Sequence, residues 1–295
     1  LTTEFSVERF EARDGVQLAV HVGGSGPPVV CVPGGPGRAS EYLEDFGGLS
    51  ESHTLLRVDL RGTGRSELPE ERESLQFPRL ADDIEDLRVA RGLETIDIVA
   101  HSAGCFVSLV YAMRYPSRLS RLVLVTPSGR GFGDVEDDVA QVRASRSDEP
   151  WYPEAAEIEA ELALMPAHRR ARMDRGLRVF GYARWDERAQ AHAAATDTQM
   201  SLRATAGFSA DDFLEHGRRL REALQEVTAQ VLIIVGDLDG ITGVRAGRLV
   251  ADPLPDATVQ ELSGTAHYPW VDAPETFRAA IVSFLAGARP AAHPS

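Results

Sequence analysis

Residues Ile98–Phe106 read IVAHSAGCF. An apolar run ends in a histidine and a serine, and small residues flank the serine. Ser102 is either a nucleophile on a sharp strand-to-helix turn or an ordinary serine between two elements. Ala100 and Gly104 stand two residues before and two after it, in the pattern Ala-x-Ser-x-Gly. A turn tight enough to lift a serine hydroxyl clear of the backbone needs small residues at both places. IDIVAH upstream reads as a buried strand, and CFVSLVYAMRYP downstream as a helix stopped before Pro116. The Ala103 N–H then stands at a helix N-terminus, where positive potential favours an oxyanion.

Working outward, strands and helices alternate. FSVERFEA and VQLAVHVG flank RDG as a hairpin. PPVVCVP is a short buried strand closed by GGPG, and HTLLRVDL is a strand closed by RGTGRS. RLADDIEDLRVARGL places Leu80, Ile84 and Leu87 on one helical face, with Gly92 as the stop. LSRLVLVTP, QVLIIVGD and ATVQELSG supply further strands, and PETFRAAIVSFLAG a final helix with Phe277, Ile281, Phe284 and Leu285 inward. This alternation predicts a mostly parallel sheet covered on both faces. From about Gly129 to Phe213 no strand pattern appears, and Ala, Glu and Arg dominate. The expected organisation is a core of residues 1–128 and 216–295, interrupted by a helical cap at 129–215. Such a cap belongs over the carboxyl ends of the strands, where open α/β sheets bind ligands.

The net charge of −14 argues against a nucleic-acid partner. It reads first as a solubility device, and more sharply as a bias toward cationic substrates. Every basic residue is arginine, which excludes Schiff-base and P-loop lysine chemistry. No apolar run has the length of a membrane span, and no basic-then-apolar leader opens the chain. Cys31 and Cys105, near GGPG and the serine, form no Cys-x-x-Cys and no metal spacing. They read as small buried hydrophobes in a reduced, cytoplasmic protein.

A serine needs a base, and the base an orienting acid; this architecture presents them in the order Ser, acid, His. The strand VLIIVG ends in DLDG, which nominates Asp239 over Asp237 as the acid. His267, in SGTAHYPW, follows the last strand and is the base; only His293 lies beyond it. His101 points away from the serine on a strand's alternation and takes a structural role. His21 and His53 fall in or beside strands, and His168, His192 and His216 in the helical segment. Gly35, in GGPG, is the second oxyanion donor beside Ala103. Asp59 and Arg61 brace loops at the rim. No metal or organic cofactor is called for.

Jointly, VPGGPG, DLRGTGRS, AHSAG, GDLD and GTAHYP resemble the α/β-hydrolase superfamily of capped serine hydrolases. The resemblance spans nearly the whole core. It implies an α/β-hydrolase fold: a mostly parallel eight-stranded sheet, helices on both faces and an inserted cap. GGPG with DLRGTGRS further resembles the prolyl iminopeptidase group, which implies removal of an N-terminal residue with cap carboxylates on the free amine. RWDERAQ resembles that group's Trp-acid cap segment, nominating Trp185, Asp186 and Glu187 as substrate contacts; Tyr268, beside the base, joins them. The chain departs from the group at Pro33, where a histidine is usual, and at Ala103, where a tryptophan is usual. The expectation is a serine hydrolase acting on an ester or amide of a small molecule or short peptide. Aminopeptidase, carboxylesterase, carbon–carbon bond hydrolase and acyltransferase activities stay open, as does a non-catalytic ligand receptor on the same fold.

Overall fold

The computed structural model describes residues 3–164, 174–208 and 213–288. Its strands are β1 (Ser6–Glu11), β2 (Gln17–Gly24), β3 (Pro28–Val32), β4 (Thr54–Asp59), β5 (Ile96–His101), β6 (Leu119–Val125), β7 (Gln230–Gly236) and β8 (Ala257–Leu262). They form one sheet in the order β1-β2-β4-β3-β5-β6-β7-β8. β2 runs antiparallel to β1 and β4, and every other neighbouring pair is parallel.

The central strands are near-continuous apolar runs because both faces of the sheet are covered. Val30, Val32, Ile98, Ala100, Leu122, Leu124 and Ile233 belong to one core, and Val29, Cys31, Val99, Val123 and Leu232 to the other. Helices α1 (Phe77–Ala90) and α2 (Ala103–Arg114) cover the first face through Leu80, Ile84, Leu87, Phe106 and Val110. The helix Pro274–Leu285 covers the second through Phe277, Ile281 and Phe284. α1 ends where Gly92 takes a φ of 64°, a conformation that favours glycine. Cys31 and Cys105 are free and buried, on opposite faces of the sheet, with the Cys31 thiol pushed up to about 12 by burial.

Chain direction across the sheet reverses between β3 and β5. β3 leads to β4 on one side, while β5 leads to β6 on the other. The crevice outside such a switch point is where open α/β sheets place ligands. The glycine loop after β3 and Ser102 after β5 meet there. The loop after β4 braces the rim. The Asp59 carboxylate is fully buried and accepts from the Ser40 and Arg65 N–H groups and from His21 Nε2. Arg61 bridges Asp14 and Asp83.

Between β6 and β7 the described residues form helices, including α3 (Glu136–Ala144), α4 (Tyr152–Ala163), Glu187–Gln199 and Leu202–Phe208. Ala155, Leu162, Leu177, Val179 and Phe180 give this segment a small core of its own. It is tied to the strand ends by main-chain bonds: His267 N–H to Gly181 O at 3.0 Å, Gly240 N–H to Phe180 O at 3.1 Å, and Ser201 N–H to Gly37 O at 2.9 Å.

Candidate active site

Ser102 stands between β5 and α2 with φ 52° and ψ −119°. A non-glycine residue in this region is strained by about 1–3 kcal/mol, and such strain persists only where its surroundings enforce it. The enforcing contacts are visible. The Ser102 N–H donates to Val125 O at 2.9 Å, and Ser102 O accepts from Cys105 N–H at 3.0 Å. A Cβ on Gly104 would stand 2.4 Å from Pro33 O. A Cβ on Gly34 would stand 2.6 Å from His101 O and 2.9 Å from Ser102 Cβ. The serine turn and the glycine loop therefore interlock backbone against backbone.

Ser102 Oγ lies 3.1 Å from His267 Nε2, and His267 Nδ1 lies 2.9 Å from Asp239 Oδ2. The fully buried Asp239 carboxylate uses both oxygens. Oδ2 also accepts from Thr242 Oγ1 at 2.7 Å, and Oδ1 accepts from the Ile241 and Thr242 N–H groups at 2.8 and 3.1 Å. Burial alone would raise its pKa. The His267 charge and hydrogen bond, with the Thr242 donors, outweigh burial and hold it below the usual carboxylate value. Asp237 forms no described hydrogen bond or ion pair with His267; it accepts from Ser263 Oγ and Gly264 N–H on a neighbouring turn.

His101 is buried behind the serine. Tyr42 OH accepts from the Gly34 N–H at 2.7 Å and lies 2.7 Å from His101 Nδ1; His101 Nε2 lies 3.0 Å from His267 O. Burial, reinforced by the His267 charge, holds His101 well below the usual histidine pKa, so it is neutral. The donor count assigns the tautomer: Tyr42 O–H donates to Nδ1, and Nε2–H donates to His267 O. One hydrogen-bonded chain thus joins the glycine loop to the main chain of His267.

A cavity of about 740 Å³ reaches Ser102, His267 and Gly35 and is walled by Tyr42, Tyr182 and Tyr268. That volume suits a small organic substrate. Gly35, at φ 121°, borders it in a conformation that favours glycine. With the Gly34 N–H spent on Tyr42, Gly35 is the next donor in this loop. Ala103 is the first residue of α2, where helix geometry leaves its N–H without an intrahelical acceptor.

Of the expected substrate contacts, Tyr268 borders the cavity, stacked on Tyr182 at 4.8 Å between ring centres. Trp185, Asp186 and Glu187 are not among the residues that line it. Trp185 packs on Tyr182, and Glu187 is exposed in the first turn of Glu187–Gln199. Asp186 is that helix's N-cap, its Oδ1 accepting from Ala189 N–H at 3.0 Å. The helix start captures the carboxylate that the sequence resemblance assigned to substrate.

Sequence reasoning missed Arg38, Tyr42, Tyr182 and the role of His192. His192 is buried, bonded to Tyr182 OH and Tyr42 O, and held at about 4 by burial and the Arg38 charge. Arg38 directly follows GGPG, which is the one local signal that pointed to the cavity. His168, His293 and the His216 side chain lie outside the described residues. Among the described residues no cluster of His, Cys, Asp and Glu could hold a metal, and no helix is long and apolar enough to cross a membrane.

A strained serine between strand and helix, facing a histidine and a buried aspartate at a sheet's switch point, defines a hydrolase-type site. The sequence matches the family described as the alpha/beta hydrolase fold over residues 27–274, and the chain belongs to that family. It is 28% identical over 281 residues to a Caulobacter vibrioides protein provisionally named carbamate hydrolase RutD, covering 93% of this chain and 97% of that one. It is 22% identical over 272 residues to a proline iminopeptidase of Heyndrickxia coagulans, covering 89% and 91%. The crystal structure of proline iminopeptidase from Mycobacterium smegmatis superposes with a TM-score of 0.74 at 21% identity, covering 95% of this chain and 98% of that one. At that identity the structural likeness speaks to the fold alone.

Proposed function

We propose that the protein is a serine hydrolase that cleaves an ester or amide of a small substrate through an acyl-enzyme. The observation that carries this reading is the unbroken Ser102–His267–Asp239 hydrogen-bonded line beneath the cavity. Asp239 holds His267 with its proton on Nδ1, which leaves Nε2 free to take the Ser102 proton. Ser102 Oγ attacks the scissile carbonyl. The Gly35 and Ala103 N–H groups stabilise the oxyanion, and His267 returns the proton to the leaving group. Water, activated by the same histidine, then releases the acyl group.

An N-terminal aminopeptidase needs a carboxylate for the substrate amine. The proline iminopeptidase relatives favour that reading, but the cavity opposes it. Its one described acidic lining residue, Asp197, is bridged to Arg178 at 2.9 Å, and Asp186 is spent on a helix cap. We therefore favour an acyl hydrolase without a free-amine requirement. The test is turnover of a panel of p-nitrophenyl esters and anilides by the intact protein and by Ser102→Ala. The expected loss in the variant is about 10⁴-fold or more in kcat/KM. Activity retained within tenfold assigns the chemistry to another residue, and an inert intact protein favours a ligand receptor.

A further inference from the structure

Arg38 is the buried cation of this cavity, and among the described residues it has no anion. Its residue is 2% exposed and borders the cavity. Its Nε donates to Gln199 Oε1 at 2.9 Å and its Nη2 to His192 O at 3.1 Å, both neutral acceptors. Its guanidinium lies 4.2 Å above the Tyr42 ring. Nη1 is buried with no acceptor at hydrogen-bond geometry among the described residues; the other polar group beside the guanidinium is the neutral Tyr268 hydroxyl, and Arg38 forms no described ion pair. Burying a guanidinium is costly unless a counter-charge and full hydrogen bonding offset it.

Other buried arginines obey that rule: Arg61 pairs with Asp14 and Asp83, Arg88 with Glu85, and Arg146 with Glu149. Arg57 forms no described ion pair either, but it sits among the charges of Asp59, Glu41 and Asp45 and does not line the cavity. The cavity as a whole has the same bias. Among the described residues, three arginines line it against one aspartate, and that aspartate is bridged to Arg178. This positive surplus lies inside a chain whose net charge is −14.

We infer that the substrate carries a carboxylate in addition to its scissile carbonyl, and that Arg38 is the residue that recognises it. The inference rests on the hydrolase reading and specifies the substrate class of that same site. One unfilled guanidinium nitrogen suits a monoanion. A phosphate dianion would need more donors than this side chain has left.

Two substrate pairs test it, each a carboxylate against its neutral carboxamide. The first is the mono-p-nitrophenyl ester of adipic acid against that of adipamic acid, with the charge on the acyl side. The second is 4-carboxyphenyl hexanoate against 4-carbamoylphenyl hexanoate, with the charge on the leaving group. The carboxylate member of at least one pair is expected to have a kcat/KM about ten- to hundredfold higher. Arg38→Gln is expected to bring that ratio toward one. Both substrates are read on one enzyme sample, so a partly folded preparation does not distort the ratio. If Arg38→Gln does not fold, Arg38→Lys keeps the cation but loses the planar fork, and the ratio falls at least about threefold. Ratios below about fivefold in both pairs, or a ratio unchanged in the folded variant, overturn the inference while Ser102-dependent turnover leaves the hydrolase reading standing. Turnover that survives Ser102→Ala removes the hydrolase reading and this inference with it.

Discussion

Asp239→Asn separates a catalytic carboxylate from a merely structural one. Asparagine keeps the volume but offers one acceptor oxygen and one NH₂ group. The Ile241 and Thr242 N–H groups both point at Oδ1 and are fixed in the main chain. The amide oxygen must take that place, which turns the NH₂ toward His267 Nδ1. His267 then has to accept at Nδ1 and carry its proton on Nε2, facing Ser102, where it is useless as a base. The opposite amide orientation restores the working tautomer but leaves two buried N–H groups facing NH₂. At about 1–3 kcal/mol each, that costs about 2–6 kcal/mol, or about 30-fold to 10⁴-fold in rate. The Thr242 hydroxyl rotates to accept from the new NH₂, so the fold survives. Asp239→Ala instead leaves both N–H groups unpaired and loses about 2–6 kcal/mol of unfolding free energy. Steady-state hydrolysis and urea unfolding on both variants read the two effects apart. An Asn variant within tenfold of wild-type kcat would falsify the assignment of Asp239.

Gly34→Ala drives a methyl group against His101 O and Ser102 Cβ, so the glycine loop must move away from the serine. We expect kcat to fall about 10²-fold as the Gly35 donor is displaced, and a kcat near wild type contradicts its oxyanion role. Asp186→Ala removes a helix cap and lowers stability by about 1 kcal/mol in urea unfolding. It should affect free-amine and blocked substrates equally; a selective loss on free amines would reinstate Asp186 as a substrate contact. His192 has its pKa depressed from 6.5 to about 4, so the unfolded chain takes up its proton first. Its contribution to stability is whole above about pH 6.5 and drains as pH falls toward about 4. Between pH 7.5 and 5 that amounts to about 2 kcal/mol, and His192→Gln should remove this share of the pH dependence. Parallel curves for the two proteins would refute it.

The eight strands and the serine turn were legible because their signals are local. Buried parallel strands are apolar runs, and the turn needs small residues at fixed offsets from Ser102. The order Ser102, Asp239, His267 follows from which strand ends face the switch point. Of the aromatic cavity walls only Tyr268 was legible. Tyr42 and Tyr182 come from distant segments and reach it only through tertiary packing. Asp186 carries two signals in the same residues, a family likeness and a helix start, and in the structure it caps Glu187–Gln199. The acidic composition carried no information about the cavity: net charge describes the whole surface, whereas the described cavity lining holds three arginines and one aspartate.

The central claim is that Ser102 is a nucleophile activated by His267. Peptide mapping by mass spectrometry after fluorophosphonate treatment tests it most directly. The account predicts one adduct per chain, on Ser102, lost in Ser102→Ala and slowed by Asp239→Asn. No adduct on the intact protein, or equal labelling of Ser102→Ala, contradicts it.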